Sequence, residues 1–236
     1  NGLYIYTANT YGGVNVWTSS GAHSRQMLVR QARGGVVSAD FFPDDLKVVT
    51  MGEDGSVAIH SSESLDSVRY MFDANSTASK VNQVKVSPNG MYIAAVTTDL
   101  TLTLWNASNG LLITRIPNAG YGPAFHPNSQ TVAVVKDSVV TIYNTSNGSV
   151  NRTYTVANLV AGRDVAYKFD GLALYIGGGV PNNGMSIIAI NTNTWTEINR
   201  FGDPNLVGRE CMKLSISPGL RLASMYSISA GRSYIV

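Results

Sequence analysis

The chain has 236 residues, 44% of them apolar and 14% charged, with a formal net charge of +2. That is enough apolar material for a packed globular domain, and too little charge to point to nucleic acid or an anionic membrane as a partner. No run of eighteen apolar residues marks a membrane-spanning helix, and the lone Cys211 excludes an internal disulfide framework.

Taken in chain order, the predicted elements are all short strands. Residues 1–32 hold three, at 3–8, 14–17 and 25–29. Residues 36–73 hold four, with turns at Phe42-Pro43-Asp44-Asp45 and Glu53-Asp54-Gly55. The pattern is plainest over 80–116, where 81–86 alternate apolar and polar, Ser87-Pro88-Asn89-Gly90 turns the chain, and 91–96 are nearly all apolar. Thr98-Asp99 begins a second turn, 100–105 alternate again, and 111–116 follow a turn at 106–110. Residues 121–157 repeat this, with Leu104-Trp105-Asn106-Ala107-Ser108-Asn109-Gly110 lying over Ile142-Tyr143-Asn144-Thr145-Ser146-Asn147-Gly148. The stretch 162–201 carries four strands with an enlarged turn over 177–184, and 210–236 offers three more at 211–216, 221–226 and 232–236. Short strands separated by turn chemistry at this spacing form antiparallel meanders.

With the strands of each repeat labelled A to D, strand C ends at Trp17, His60, Trp105, Tyr143, Ile190 and Val236, giving spacings of 43, 45, 38, 47 and 46 residues. Periods of this size mark propeller blades. Strand B is apolar on both faces, as in Tyr92-Ile93-Ala94-Ala95-Val96, Thr131-Val132-Ala133-Val134-Val135 and Leu172-Ala173-Leu174-Tyr175-Ile176. A strand sandwiched between two neighbouring sheets needs that composition. Strand D is more polar, as in Ser149-Val150-Asn151-Arg152-Thr153-Tyr154, which suits an outer edge. The expectation is a single all-β domain over 1–236, a β-propeller of about six four-stranded antiparallel blades whose first and last blades are incomplete. The missing first A strand and last D strand, and the absence of an initiating Met, lead us to expect a piece of a longer chain, or an open ring finished by something else.

Ser87-Pro88-Asn89-Gly90, Asp99, Leu102-Thr103-Leu104-Trp105-Asn106 and the earlier Glu53-Asp54-Gly55-Ser56 resemble the WD-repeat β-propeller family. The resemblance covers nearly the whole chain. The family places an Asp in the B–C turn, matched by Asp54, Asp99 and Asp137, and closes strand C with Trp-Asp. Trp17 and Trp105 match the Trp, whereas Thr18 and Asn106 stand where Asp is usual. The Gly-His pair often found before strand A has no counterpart, since Gly34-Gly35, Asn118-Ala119-Gly120 and Gly162 occupy those stretches. The resemblance implies a non-catalytic platform that binds other proteins within a larger assembly.

Nothing in the sequence assembles a catalytic, cofactor or metal site. His23, His60 and His126 fall in three different repeats, and Asp54, Asp99 and Asp137 recur with the turns and read as caps. Gly177-Gly178-Gly179 follows a strand, but no helix or Lys-Ser/Thr pair comes after it, as a phosphate loop would require. Cys211 opens a strand and reads as a small core residue, and Trp17 and Trp105 read as packing. Trp195, in the turn after Asn191-Thr192-Asn193-Thr194, is a candidate exposed anchor for a partner.

For recognition, the D–A and B–C connections form the favoured face, over residues 30–35, 118–121, 159–163 and 203–209, with Arg30, Arg33, Tyr121, Arg163 and Arg209 as contact candidates. The competing reading is a secreted or cell-surface propeller with a structural or carbohydrate-binding role. Asn-x-Ser/Thr sequons at Asn75, Asn106, Asn144, Asn147 and Asn151 support it. Their number is close to the chance expectation of about four, so position in exposed turns, rather than count, carries that reading. Other proteins are the expected partners, with no cofactor, nucleic acid or membrane insertion; a cytoplasmic placement is read first and an extracellular one second.

Overall fold

The computed structural model describes residues 4–8, 13–18, 20–28, 35–62, 67–71, 81–180, 184–202, 211–216, 222–227 and 233–235. These residues form twenty-two strands in six antiparallel sheets, and the chain divides into two compact units, Asn1–Asn118 and Ala119–Val236. The first unit begins with a three-stranded sheet of β1 (Tyr4–Ala8), β2 (Gly13–Thr18) and β3 (His23–Leu28). Two four-stranded sheets follow: β4 (Val36–Phe41), β5 (Lys47–Gly52), β6 (Val57–Ser61) and β7 (Ser67–Met71), then β8 (Val81–Val86), β9 (Tyr92–Thr97), β10 (Leu102–Asn106) and β11 (Leu112–Ile116). The second unit holds β12 (Tyr121–Phe125), β13 (Thr131–Lys136), β14 (Val139–Asn144) and β15 (Val150–Thr155), then β16 (Ala161–Tyr167), β17 (Ala173–Val180), β18 (Gly184–Asn191) and β19 (Glu197–Gly202). Its last sheet is β20 (Cys211–Ile216), β21 (Leu222–Ser227) and β22 (Ser233–Ile235). Every sheet is a meander in which sequence neighbours pair, the blade unit of a β-propeller.

The apolar B strands sit where their composition demands. β9 and β13 are buried at all four central positions, and β5 from Val48 onwards. Phe42, Val49, Met51, Ile59, Val84, Ile93 and Trp105 belong to one core cluster between the second and third sheets. In the second unit Val135, Ile142, Val165, Leu174, Ile176 and Ile188 do the same between the fourth and fifth. Adjacent inner strands are also tied by side chain to backbone: Val84 N donates to Ser38 Oγ at 3.1 Å and Val86 N to Asp40 Oδ2 at 2.8 Å. The Lys85 ammonium stands 3.5 Å from Asp40 Oδ1. In the second unit Leu214 N donates to Asp164 Oδ2 at 2.8 Å, from the same place in the repeat as the Ser38 bond.

Two devices recur that alternation alone does not reveal. The register between strands C and D slips at Val16/Trp17, Ile59/His60, Leu104/Trp105, Ile142/Tyr143 and Ala189/Ile190, so each outer strand carries one extra residue as a β-bulge. The first residue of the C–D turn then donates its N–H to the carbonyl just before strand B: Ser62 to Leu46, Ala107 to Met91, Thr145 to Gln130 and Thr192 to Leu172, at 2.9 to 3.2 Å. Where that residue is hydroxylic it adds a second bond, from Ser62 to Asp45 O at 2.7 Å, Thr145 to Ser129 O at 2.8 Å and Thr192 to Gly171 O at 2.5 Å.

One expectation is corrected. Residues 177–184 do not enlarge a turn but lengthen a hairpin, with Gly177, Gly178 and Gly179 paired to Ile187, Ser186 and Met185. The glycines are there for packing: a Cβ on Gly177 would lie 2.6 Å from Cys211 Sγ, so the absent side chain lets the last sheet close on β17.

Candidate interaction surface

Tyr121 and Arg163 come from different strands, each near the start of the inner strand of its sheet, and the structure brings them together. The Arg163 guanidinium lies 5.2 Å from the centroid of the Tyr121 ring, a cation–π pair with both residues half-buried. The backbone next to each explains the approach. A Cβ on Gly122 would stand 2.6 Å from Asp164 Cα and 2.8 Å from Val165 N, and one on Gly162 would stand 2.9 Å from Asp137 O. With hydrogen in place of Cβ, β12 and β16 pack backbone to backbone, and the Tyr and Arg that precede the close contact are set side by side. Gly162 N also donates to Asp137 O at 2.8 Å, which ties the B–C turn of one sheet to the inner strand of the next. Asp164, only 1% exposed, lies directly below. Its charge adds to burial in pushing the Cys211 thiol up to about 12, so that thiol is a protonated packing group.

Trp195 is not the freely exposed anchor its turn implies. It is half-buried, its ring 5.8 Å from that of Tyr154 and 5.0 Å from the Arg152 guanidinium. Its backbone has φ of 57°, in the left-handed region, where Gly110 and Gly148 stand at the same point of the preceding turns with φ of 73° and 71°. All three donate to the carbonyl four residues earlier, Asn106, Asn144 and Asn191, at 2.8 Å. A bulky side chain in that conformation costs on the order of 1 kcal/mol or more, which the contacts with Tyr154 and the core beneath must offset.

The remaining predicted residues are distributed by the repeat. Asp54 Oδ1 accepts from Ser56 N and Oγ at 3.0 and 2.6 Å, and Asp99 Oδ1 accepts from Thr101 N at 3.2 Å and from the Thr97 hydroxyl. Asp137 differs: it occupies the left-handed corner of a two-residue turn, with φ of 52°, and meets Gly162 through its backbone. Trp105 is buried in the core, and Trp17 Nε1 donates to Thr7 Oγ1 at 2.9 Å. Asn106 and Asn147 accept from the serine two residues on, Ser108 and Ser149, through both N and Oγ. Asn151 Nδ2 donates to Asn144 Oδ1 at 3.0 Å, joining two sequons. Arg30, Arg33, Arg209 and Asn75 lie outside the described residues.

Sequence reasoning missed Arg152, Tyr154 and the His60–Thr50 pair. Aligning the C–D turns would have exposed Trp195 as the odd residue at a glycine position, and with it the strand it packs on. His60 is buried, its Nε2 2.8 Å from Thr50 Oγ1, and desolvation lowers its pKa to about 4. His126 stands edge-on to Tyr167 at 5.0 Å and accepts from Asn128 N through Nδ1 at 3.2 Å, so its ring organises a turn. Among the described residues no three His, Cys, Asp or Glu side chains come close enough to hold a metal ion, and no helix is long and apolar enough to cross a membrane.

Residues 67–106 match a family model described as WD domain, G-beta repeat. No curated protein matches the chain. The matched segment begins on β7, the outer strand of the second sheet, and ends with β10, the third strand of the next. The chain thus carries a WD repeat, set among six antiparallel sheets of the kind from which WD-repeat propellers are built.

Proposed function

We propose that the chain acts as a non-catalytic protein-interaction scaffold within a larger assembly, and that the Tyr121–Arg163 pair anchors a protein partner at the D–A end of its sheets. The observation that carries this is the pair itself: an aromatic ring and a guanidinium, prearranged by glycine-cleared backbone, are what interface hot spots are made of. The WD repeat over 67–106 supports the class of function, because such repeats serve mainly as binding platforms. A partner pays little ordering entropy to meet side chains already held in place.

The test compares proteins that co-purify with the wild-type chain and with Arg163→Glu and Tyr121→Ala variants of unchanged melting temperature. Loss of a defined partner from both variants supports the reading; an unchanged set from both overturns it. A glycosylated extracellular propeller is the second reading, favoured by the exposed Asn147-Gly148-Ser149 turn. An intact mass from the native source carrying glycosidase-removable hexose units would select it, and an unmodified mass would reject it.

A further inference from the structure

Arg152, Tyr154 and Trp195 define a second surface, at the outer edge of the sheets rather than on the inner strands that carry Tyr121 and Arg163. Arg152 and Tyr154 alternate along β15, so they share one face of that outer strand, and the ring of Trp195 shows that this face looks toward the fifth sheet. From the other side, Arg200 reaches back so that its Nη2 donates to Ala157 O at 2.8 Å, which points its face of β19 toward the fourth sheet. Ile198, 56% exposed, is the extra residue of the bulge in β19. The two outer strands therefore face one another, and the groove between them presents Trp195, Tyr154 and Arg152.

The charges in this groove are unequal. Arg200 is satisfied by Glu197, with Nε to Oε1 at 3.0 Å and Nη2 to Oε2 at 2.8 Å. Arg152 is exposed, and among the described residues no carboxylate pairs with it; the Trp195 ring holds its guanidinium in place. The tryptophan that does so occupies a left-handed position which the preceding turns fill with glycine.

We propose that this groove is a binding site for an extended acidic peptide segment of a protein partner. An Asp or Glu of the peptide meets the Arg152 fork, and an adjacent apolar side chain packs on Trp195 and Tyr154. Charge complementarity selects the occupant: the groove presents one unneutralised guanidinium beside apolar and aromatic surface, which disfavours basic partners and rewards a carboxylate flanked by apolar residues. The site shares no residue with the Tyr121–Arg163 rim and stands whether or not that rim binds a partner.

The test is selection of a displayed library of random twelve-residue peptides on the whole chain, followed by titration of the enriched peptides as synthetic ligands. Enriched sequences are expected to carry Asp or Glu next to an apolar residue. Their Kd should rise at least about tenfold in Arg152→Glu and in Trp195→Gly, and less in Arg152→Lys, which keeps the charge but not the planar fork. It should stay unchanged in Arg163→Glu. Trp195→Gly suits its left-handed backbone, and a melting curve for each variant separates lost binding from lost folding. If Trp195→Gly unfolds, Trp195→Asn takes its place, since Asn tolerates the left-handed backbone and removes the ring. The proposal is overturned if selection enriches no acidic consensus, or if the enriched peptides bind folded Arg152→Glu as tightly as wild type.

Discussion

Thr50 Oγ1 and His60 Nε2 lie 2.8 Å apart inside the second sheet, and Thr7 and Trp17 repeat the arrangement in the first, with Nε1 donating to Oγ1 at 2.9 Å. In both sheets the ring belongs to the penultimate residue of strand C, and it reaches the hydroxyl two residues beyond its own cross-strand partner, Val48 or Ile5. A strand pairing thus gains a diagonal side-chain tie, buried in the second sheet and exposed in the first.

Acid should weaken that tie. Burial lowers the His60 pKa to about 4, below the ordinary 6.5 of an unfolded chain, so the folded protein holds the imidazole neutral. The stability this represents is complete above pH 6.5 and drains away as pH falls toward 4, at no more than about 1.4 kcal/mol per pH unit. Urea unfolding between pH 7 and 4.5 should show a steeper loss for wild type than for His60→Gln, which keeps a polar partner for Thr50 but does not titrate. Parallel curves would assign the acid sensitivity to other groups.

Gly122 and Gly90 separate two reasons for a glycine. Both have positive φ, 62° and 70°, but a Cβ on Gly122 would press into the backbone of Asp164 and Val165, whereas one on Gly90 would meet only the Pro43 and Phe42 side chains, at 3.4 Å or more. Gly90→Ala should cost about 1 kcal/mol, the conformational term alone. Gly122→Ala should cost roughly 2–4 kcal/mol, because the inner strands must also move apart. Chemical denaturation of the two variants side by side measures the difference.

Asp164 is an acceptor first. Replacing it with Ala strands the Leu214 N–H in a buried site, at a cost of about 1–3 kcal/mol, whereas Asn keeps an acceptor and should cost less. Amide hydrogen exchange at Leu214 should quicken markedly in Asp164→Ala and little in Asp164→Asn.

The C–D turns offer a stabilising change. Ser62, Thr145 and Thr192 each donate a hydroxyl to a carbonyl before strand B, and Ala107 stands at the same point in the third sheet without one. Ala107→Ser should therefore add about 0.5–1 kcal/mol by supplying a bond to Gly90 O, and Thr145→Ala should remove a similar amount. A lower midpoint for Ala107→Ser than for wild type would mean that the carbonyl is already satisfied.

The strands were legible because their chemistry is local. Val81 to Val86 alternate in the sequence and form β8 with those bounds, and the turn residues at Ser87-Pro88-Asn89-Gly90 and Asn144-Thr145-Ser146-Asn147-Gly148 do what their side chains dictate. The surface was legible only in part. Tyr121 and Arg163 could each be named as contact candidates, but their meeting depends on Gly122 and Gly162 removing two Cβ atoms from a contact between strands distant in sequence. Trp195, in a turn after Asn191-Thr192-Asn193-Thr194, reads as a projecting side chain, yet its position is set by a left-handed backbone and by Tyr154 on another strand. Gly177-Gly178-Gly179 resembled loop because glycine is a turn residue by habit; packing against Cys211 keeps it in a strand.

The bulge in each outer strand has a consequence for how such a chain can change. By taking up one extra residue opposite Trp17, His60, Trp105, Tyr143 or Ile190, it breaks the phase between strand D and the three strands inside it. An insertion or deletion beyond that point is absorbed locally, and no core residue is flipped toward water. The outer strands can therefore diverge as independent modules, one repeat at a time, while the inner strands remain in frame.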